Sequence, residues 1–141
     1  MKKAYLVTAL SYATILTYCA CSGTASPSPG YKDLDMHMMD LKIYQENLGD
    51  NIRANNLDMA EWLLEGMDSI LRVVARDFPE HRKMQKPFSY YYDKDMSEPV
   101  SGIRRGLKSA DTSISGSAYR TLVRKCNGCH VDHDIDKIVR Y

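Results

Sequence analysis

Cys126-Asn127-Gly128-Cys129-His130 is the segment of this 141-residue chain whose residue types and spacing point most directly to chemistry. On a helix, two thiols three positions apart can each add across one vinyl group of a haem. The histidine beside them then reaches the iron, and Cys-x-x-Cys-His is the attachment signature of a c-type haem. The pattern implies one covalent haem c, with Cys126 and Cys129 as thioethers and His130 as an axial ligand. Three other chemistries draw on the same side chains. A redox dithiol is expected after a strand in an α/β pattern, which this chain lacks. A zinc site needs a fourth ligand, which His133 could supply, and usually a second ligand pair. A disulfide across two residues is a poor staple for a chain able to build a helical core. Only eleven residues follow His130. Any sixth ligand must therefore come from upstream, on a helix packed against the one that carries the motif.

The elements that must position this motif follow from hydrophobic periodicity. From Asp33 to about Asn55, Leu34, Met38, Leu41, Leu48 and Ile52 fall at steps of four, three, seven and four. That is one helical stripe, with Gln45 its polar interruption. Asn55 and Asn56 supply stop and start chemistry. A second helix, Leu57 to Phe78, sets Leu63, Met67, Ile70, Val74 and Phe78 on one face, with Trp62 and Leu71 beside it, and Pro79 closes it. Residues 79–96, with Tyr90-Tyr91-Tyr92, show no clear period and are expected as a polar connection packing on the bundle. A short third helix is expected from Ser97 as N-cap, with Val100, Ile103 and Leu107 inward, fading by Ala110. The fourth runs from Ser113 or Ser117 through Ala118, Tyr119, Leu122 and Val123 into the cysteine motif. No alternating strand pattern, repeat or phosphate loop interrupts the series. The expected fold is all-α, an antiparallel four-helix bundle over residues 32–141 with the haem on its last helix.

The N-terminus carries a different signal. Lys2 and Lys3 precede an uncharged, mostly apolar run from Ala4 to Tyr18, the length of a secretory h-region and short for a membrane span. Cys19-Ala20-Cys21-Ser22 follows, and this resembles the lipobox of bacterial lipoproteins, whose cysteine becomes the acylated first residue. Cys21 fits best, with Cys19 as the alternative; cleavage after Ala20 or Ala25 would instead leave a soluble periplasmic protein. Residues 1–20 are thus expected as a signal peptide and 21–31, rich in Ser, Pro and Gly, as a tether to a membrane anchor. Removing residues 1–20 takes two lysines and no acids from a chain of formal charge +1, leaving −1. Such a balance gives no basis for nucleic-acid binding or for an enzyme of acidic substrates.

The late position of the motif and the helix pattern resemble the class II cytochromes c, the cytochrome c prime family, and their four-helix relative that binds haem without thioethers. Ala118-Tyr119-x-x-Leu122 before Cys126 and the run Asp33-Leu34-x-x-x-Met38-x-x-Leu41 carry the likeness, which spans most of residues 33–141. The resemblance implies that Met38 is the sixth ligand and that Tyr119, Leu122 and Leu41 line the haem pocket. Sliding the first helix by a turn would put Leu41 over the iron and leave it five-coordinate, as in members that bind NO or CO; His37 is a third possibility, off the stripe. Family members show an aromatic and then a basic residue after the haem histidine, whereas Asp132, Asp134 and Asp136 stand here. Compensation of the haem propionates would then fall to Arg104, Arg105, Arg120 or Arg124. His133 is expected to be exposed. A His/Met pair raises the reduction potential and closes the iron, which suits electron transfer. The expected activity is electron carriage in the bacterial periplasm, with periplasmic or membrane redox proteins as partners and a homodimer as one state. A gas-binding protein with an open site is the alternative. No distal acid–base pair suggests an enzyme.

Overall fold

The structure, a computed structural model, describes residues 34–79, 83–136 and 139, all of which lie in one compact unit, Tyr31–Tyr141. The expected signal peptide, Cys19, Cys21, the tether and the first residue of the predicted first helix, Asp33, lie outside the described residues. Among those described, the chain is all-helical with no strand, and no helix is long and apolar enough to cross a membrane. Helix α1 spans Leu34–Arg53 and α2 Leu57–Asp77. A continuous helical rod follows, made of α3 (Phe88–Tyr91), a π-helical turn (Tyr92–Met96) and α4 (Ser97–Lys108). Helix α5 (Thr112–Asp132) ends the series.

The amphipathic stripes explain the packing. α1 pairs with α2 and α4 with α5, and the two hairpins join through α2 on α4 and α1 on α5, an arrangement consistent with a helical bundle. Leu48, Leu64, Val74, Val100, Ile103, Leu122 and Val123 fill its dry centre. Glycines mark where the helices come closest. Gly106 faces the backbone of Ser115 and Gly102 faces Ala118, so α4 and α5 run antiparallel. Gly49 faces the ring of Tyr119 and Ile52 meets Gly116, which makes α1 and α5 antiparallel as well. Gln45, the polar gap in the first stripe, is buried and donates from Nε2 to the Tyr119 hydroxyl. That hydroxyl in turn donates to the Gln45 carbonyl oxygen at 3.1 Å.

α1, α4 and α5 end in the same way. Asn56 N–H bonds to Asn51 O at 2.9 Å, Asp111 N–H to Gly106 O at 2.8 Å and Ile135 N–H to His130 O at 2.9 Å. Each is the long bond of a Schellman cap, which needs a left-handed residue just before the donor. Asn55, Ala110 and Asp134 take that role with φ of 56°, 53° and 55°. Alanine gains nothing from a side-chain hydrogen bond there and bears the Cβ–carbonyl crowding. Ala110→Gly should therefore stabilise the fold by about 0.5–1 kcal/mol, less than the full crowding cost because glycine also loosens the unfolded chain. A shift in the midpoint of urea unfolding at unchanged slope would measure it; a lower midpoint would refute the assignment of strain.

Two expectations change. Residues 88–96, expected as part of a polar connection, are helical, and Ser97 lies within the rod instead of capping it. Pro99 explains both. Its missing N–H and its ring would crowd the Asp95 carbonyl four residues back, which ordinarily breaks a helix. The widened π turn just before it absorbs that conflict and lets the rod continue. Trp62, placed beside the core face by its spacing, is 62 % exposed.

Candidate functional site

Cys126, Cys129 and His130 lie on α5 at positions i, i+3 and i+4, which gathers them within about 100° of helix circumference. All three are half-buried. Cys126 packs against the core, both cysteines are free thiols, and the space around Gly128 is open where a Cβ would project. Burial pushes the Cys126 thiol up to about 12. Cys129 is raised too, by burial first and then by the charges of Asp132 and Asp95. In the metal-free chain both side chains are held as thiols, which disfavours a redox dithiol. Among the described residues, no three His, Cys, Asp or Glu side chains gather into a metal-binding group. The donor set fits a haem, which asks of the chain two thiols for thioethers and one or two axial ligands.

The facing helix is α1, and its register fixes what stands opposite His130. Gly49 meets Tyr119 across the antiparallel pair. Met38 lies eleven residues before Gly49, and His130 eleven residues after Tyr119. Eleven residues are three turns plus about 20°, a rise of about 16 Å. By that register Met38 and His130 belong to the same level of the α1–α5 pair, each turned about 20° from the line on which Gly49 and Tyr119 meet. Met38, Leu41 and Leu34 are partly buried and pack against the core, with Leu41 about 60° round the helix from Met38. His37 turns the other way: it is buried, with its ring edge-on to Phe78 of the α2 terminus at 5.4 Å. Tyr119 and Leu122, expected in a haem pocket, sit about 16 Å and 12 Å from His130 along α5. The Tyr119 hydroxyl is engaged by Gln45.

Of the basic residues expected near propionates, Arg104 and Arg105 are paired with carboxylates. Arg104 pairs with Glu65 at 2.9 Å and Asp68 at 3.1 Å, and Arg105 with Glu98 at 3.2 Å. Arg124 donates to Thr121 Oγ1 at 2.8 Å, and Arg120 is exposed. Lys125, next to the motif, lies 2.7 Å from Asp95 on the π turn.

Three further ties hold the motif's end of α5, and the sequence did not announce them. His133, expected to be exposed, is buried at 6 %. Its Nδ1 lies 2.7 Å from the Cys129 carbonyl oxygen and its Nε2 2.9 Å from the Tyr91 hydroxyl. A carbonyl only accepts, so Nδ1 carries the hydrogen, and in the neutral ring Nε2 accepts from Tyr91. Asn127, inside the motif, exchanges two hydrogen bonds with the backbone of Val139, 2.9 Å to its carbonyl and 2.7 Å from its N–H. Lys83 reaches the Asp134 carbonyl at 2.7 Å. Tyr91 and Lys83 lie 42 and 51 residues from their partners, so periodicity carried no sign of those ties. Compared with family models, curated proteins and solved structures, the chain matches none.

Proposed function

We propose that this chain is a monohaem c-type cytochrome that carries electrons outside the bacterial cytoplasm, held to a membrane by an acylated Cys21. The observation that carries the reading is the Cys126-x-x-Cys129-His130 triplet on one face of α5; the register of α1 on α5 supports Met38 as the second ligand. Each thiol would add its sulfur and hydrogen across one vinyl group, which consumes no oxidant. His130 and Met38 would supply the two axial ligands from facing helices. The bound haem would supply a one-electron Fe(III)/Fe(II) couple. What the protein's own residues do is structural. Met38 would occupy a ligand position otherwise open to exogenous ligands, and the packed core of α1 and α5 would hold His130 and Met38 in place. The ties from Asn127, His133 and Lys125 hold the turn that bears the thiols and would limit its reorganisation. The reading includes no catalytic turnover.

Expression with a c-type haem maturation system tests it directly. The wild-type chain should keep its haem through a denaturing gel, with a mass gain of one haem. Cys126→Ala or Cys129→Ala should leave a single thioether, and the double substitution should lose all covalent haem. An unmodified wild-type chain under conditions that mature a control cytochrome would overturn the reading.

A further inference from the structure

The outer face of the α1–α2 hairpin is apolar where a bundle surface is ordinarily polar. Five of the eight large hydrophobic side chains exposed among the described residues sit there: Met36, Met39, Ile43, Met59 and Trp62. Met36, Met39 and Ile43 recur at three and four along α1, roughly opposite the inward Leu48 and Ile52, so they are a second stripe and not leakage from the core. Trp62 is 62 % and Ile43 57 % exposed. Tyr44 joins the two helices into one surface. Its ring lies over Gly66, where any Cβ would collide with it, and its centroid is 6.0 Å from that of Trp62 at a 34° tilt. Exposed apolar side chains gathered on one hairpin, with aromatic and methionine residues among them, mark a contact site.

Charge identifies the occupant. α1 and α2 carry nine carboxylates against four Lys and Arg. Asp68, which is buried, and Glu65 are bound by Arg104 of α4, and setting those two aside leaves seven against four, a formal −3. α4 and α5 carry six Lys and Arg against two carboxylates, a formal +4. Two copies meeting through the hairpin would bring like fields together. A second copy offering its basic side would bring only Ile114 and Val131 as exposed large hydrophobics on those helices, which leaves Trp62 and Ile43 without an apolar counterpart. An anionic bilayer is opposed by the same carboxylates. We infer that the Met36–Ile43 and Met59–Trp62 face docks a different protein, one whose own apolar patch is ringed by Lys and Arg. The acidic rim steers that partner and the apolar centre holds it. The inference does not depend on the haem.

The probe is a labelled eighteen-residue amphipathic helix with leucines on one face and lysines around them, titrated by fluorescence anisotropy into the mature holoprotein. Binding should weaken at least tenfold in Trp62→Ala and in Ile43→Ser, both exposed positions whose loss leaves the far-ultraviolet spectrum unchanged. Asp40→Asn with Glu61→Gln should flatten the dependence on salt, and a glutamate-for-lysine peptide should fail to bind. Equal affinity in the apolar variants would overturn the inference. So would a dimer in sedimentation that Trp62→Ala dissolves, or equally tight binding to phosphatidylglycerol vesicles.

Discussion

Met38→Ala is expected to convert a low-spin, six-coordinate optical spectrum into a high-spin one that binds CO within seconds. The expectation rests on the register of α1 and α5, since Gly49 meets Tyr119 and three turns separate each from Met38 and His130 respectively. Thioether ligation holds the reduced metal well, so its loss should also lower the potential, by on the order of 100 mV or more. Leu41→Ala is the matched control. It removes a side chain of similar bulk from the same stripe, about 60° round the helix, and should leave the spectrum of the wild type in place. His37→Ala should likewise leave it, because that ring packs edge-on to Phe78 at the end of α2. A wild-type protein that is already high-spin and binds CO would favour the gas-binding alternative near Leu41. A wild-type low-spin spectrum that survives Met38→Ala would move the ligand to another side chain.

How much of this was written in the sequence depends on the range of each interaction. The stripes of α1 and α2 were legible because burial repeats along one helix, and the start and end of each emerged within two residues. Asp111, which caps α5 by accepting from Ser113 and Ile114 N–H at 2.9 and 3.1 Å, is equally local. Gln45 stood out as an anomaly in its stripe, but its partner Tyr119 lies 74 residues away. One sequence offers no means of joining them. His133 and Tyr91 show the same limit: each is polar and unremarkable alone, and His133 is buried against a half-buried Tyr91 that lies 42 residues away. The rod from Phe88 was missed for a different reason. Pro99 ordinarily signals a helix start, and the π turn that cancels the signal repeats at no α-helical spacing. Trp62 looked inward because aromatic residues beside an apolar stripe usually are; its exposure is decided by Tyr44 occupying the space over Gly66.

The largest stability effect is expected at Asp68, level with the cysteine motif across the bundle. This carboxylate is 4 % exposed. Its Oδ1 accepts from the Tyr92 hydroxyl at 2.7 Å, and its Oδ2 accepts from Arg104 at 3.1 Å and Arg72 at 3.2 Å. Asp68→Ala would leave the Tyr92 hydroxyl and the half-buried Arg104 with that acceptor gone, a loss of about 3–5 kcal/mol. Asp68→Asn keeps an acceptor for Tyr92 but gives up the charge, and should cost about 1–3 kcal/mol. Burial alone would raise the Asp68 carboxyl, but the bonds from Tyr92 and Arg104 and the charge of Arg72 outweigh it and hold it below its ordinary 3.8. A depressed carboxyl contributes stability in full above its unfolded value and loses it as pH falls through the folded one. Burial first, and then the Asp68 bond, raise Tyr92 from 10.0 to about 12. That contribution is complete below 10.0 and fades only as pH climbs through about 12. Urea unfolding at pH 7 and at pH 3 should therefore show the gap between wild type and Asp68→Asn narrowing on the acid side only, with no change between pH 7 and pH 9. A gap of constant size down to pH 3 would mean that the charge on Asp68 does not hold α2 to the π turn. The hydroxyl of Tyr92 alone would then be the tie, and Tyr92→Phe should reproduce the full loss at every pH.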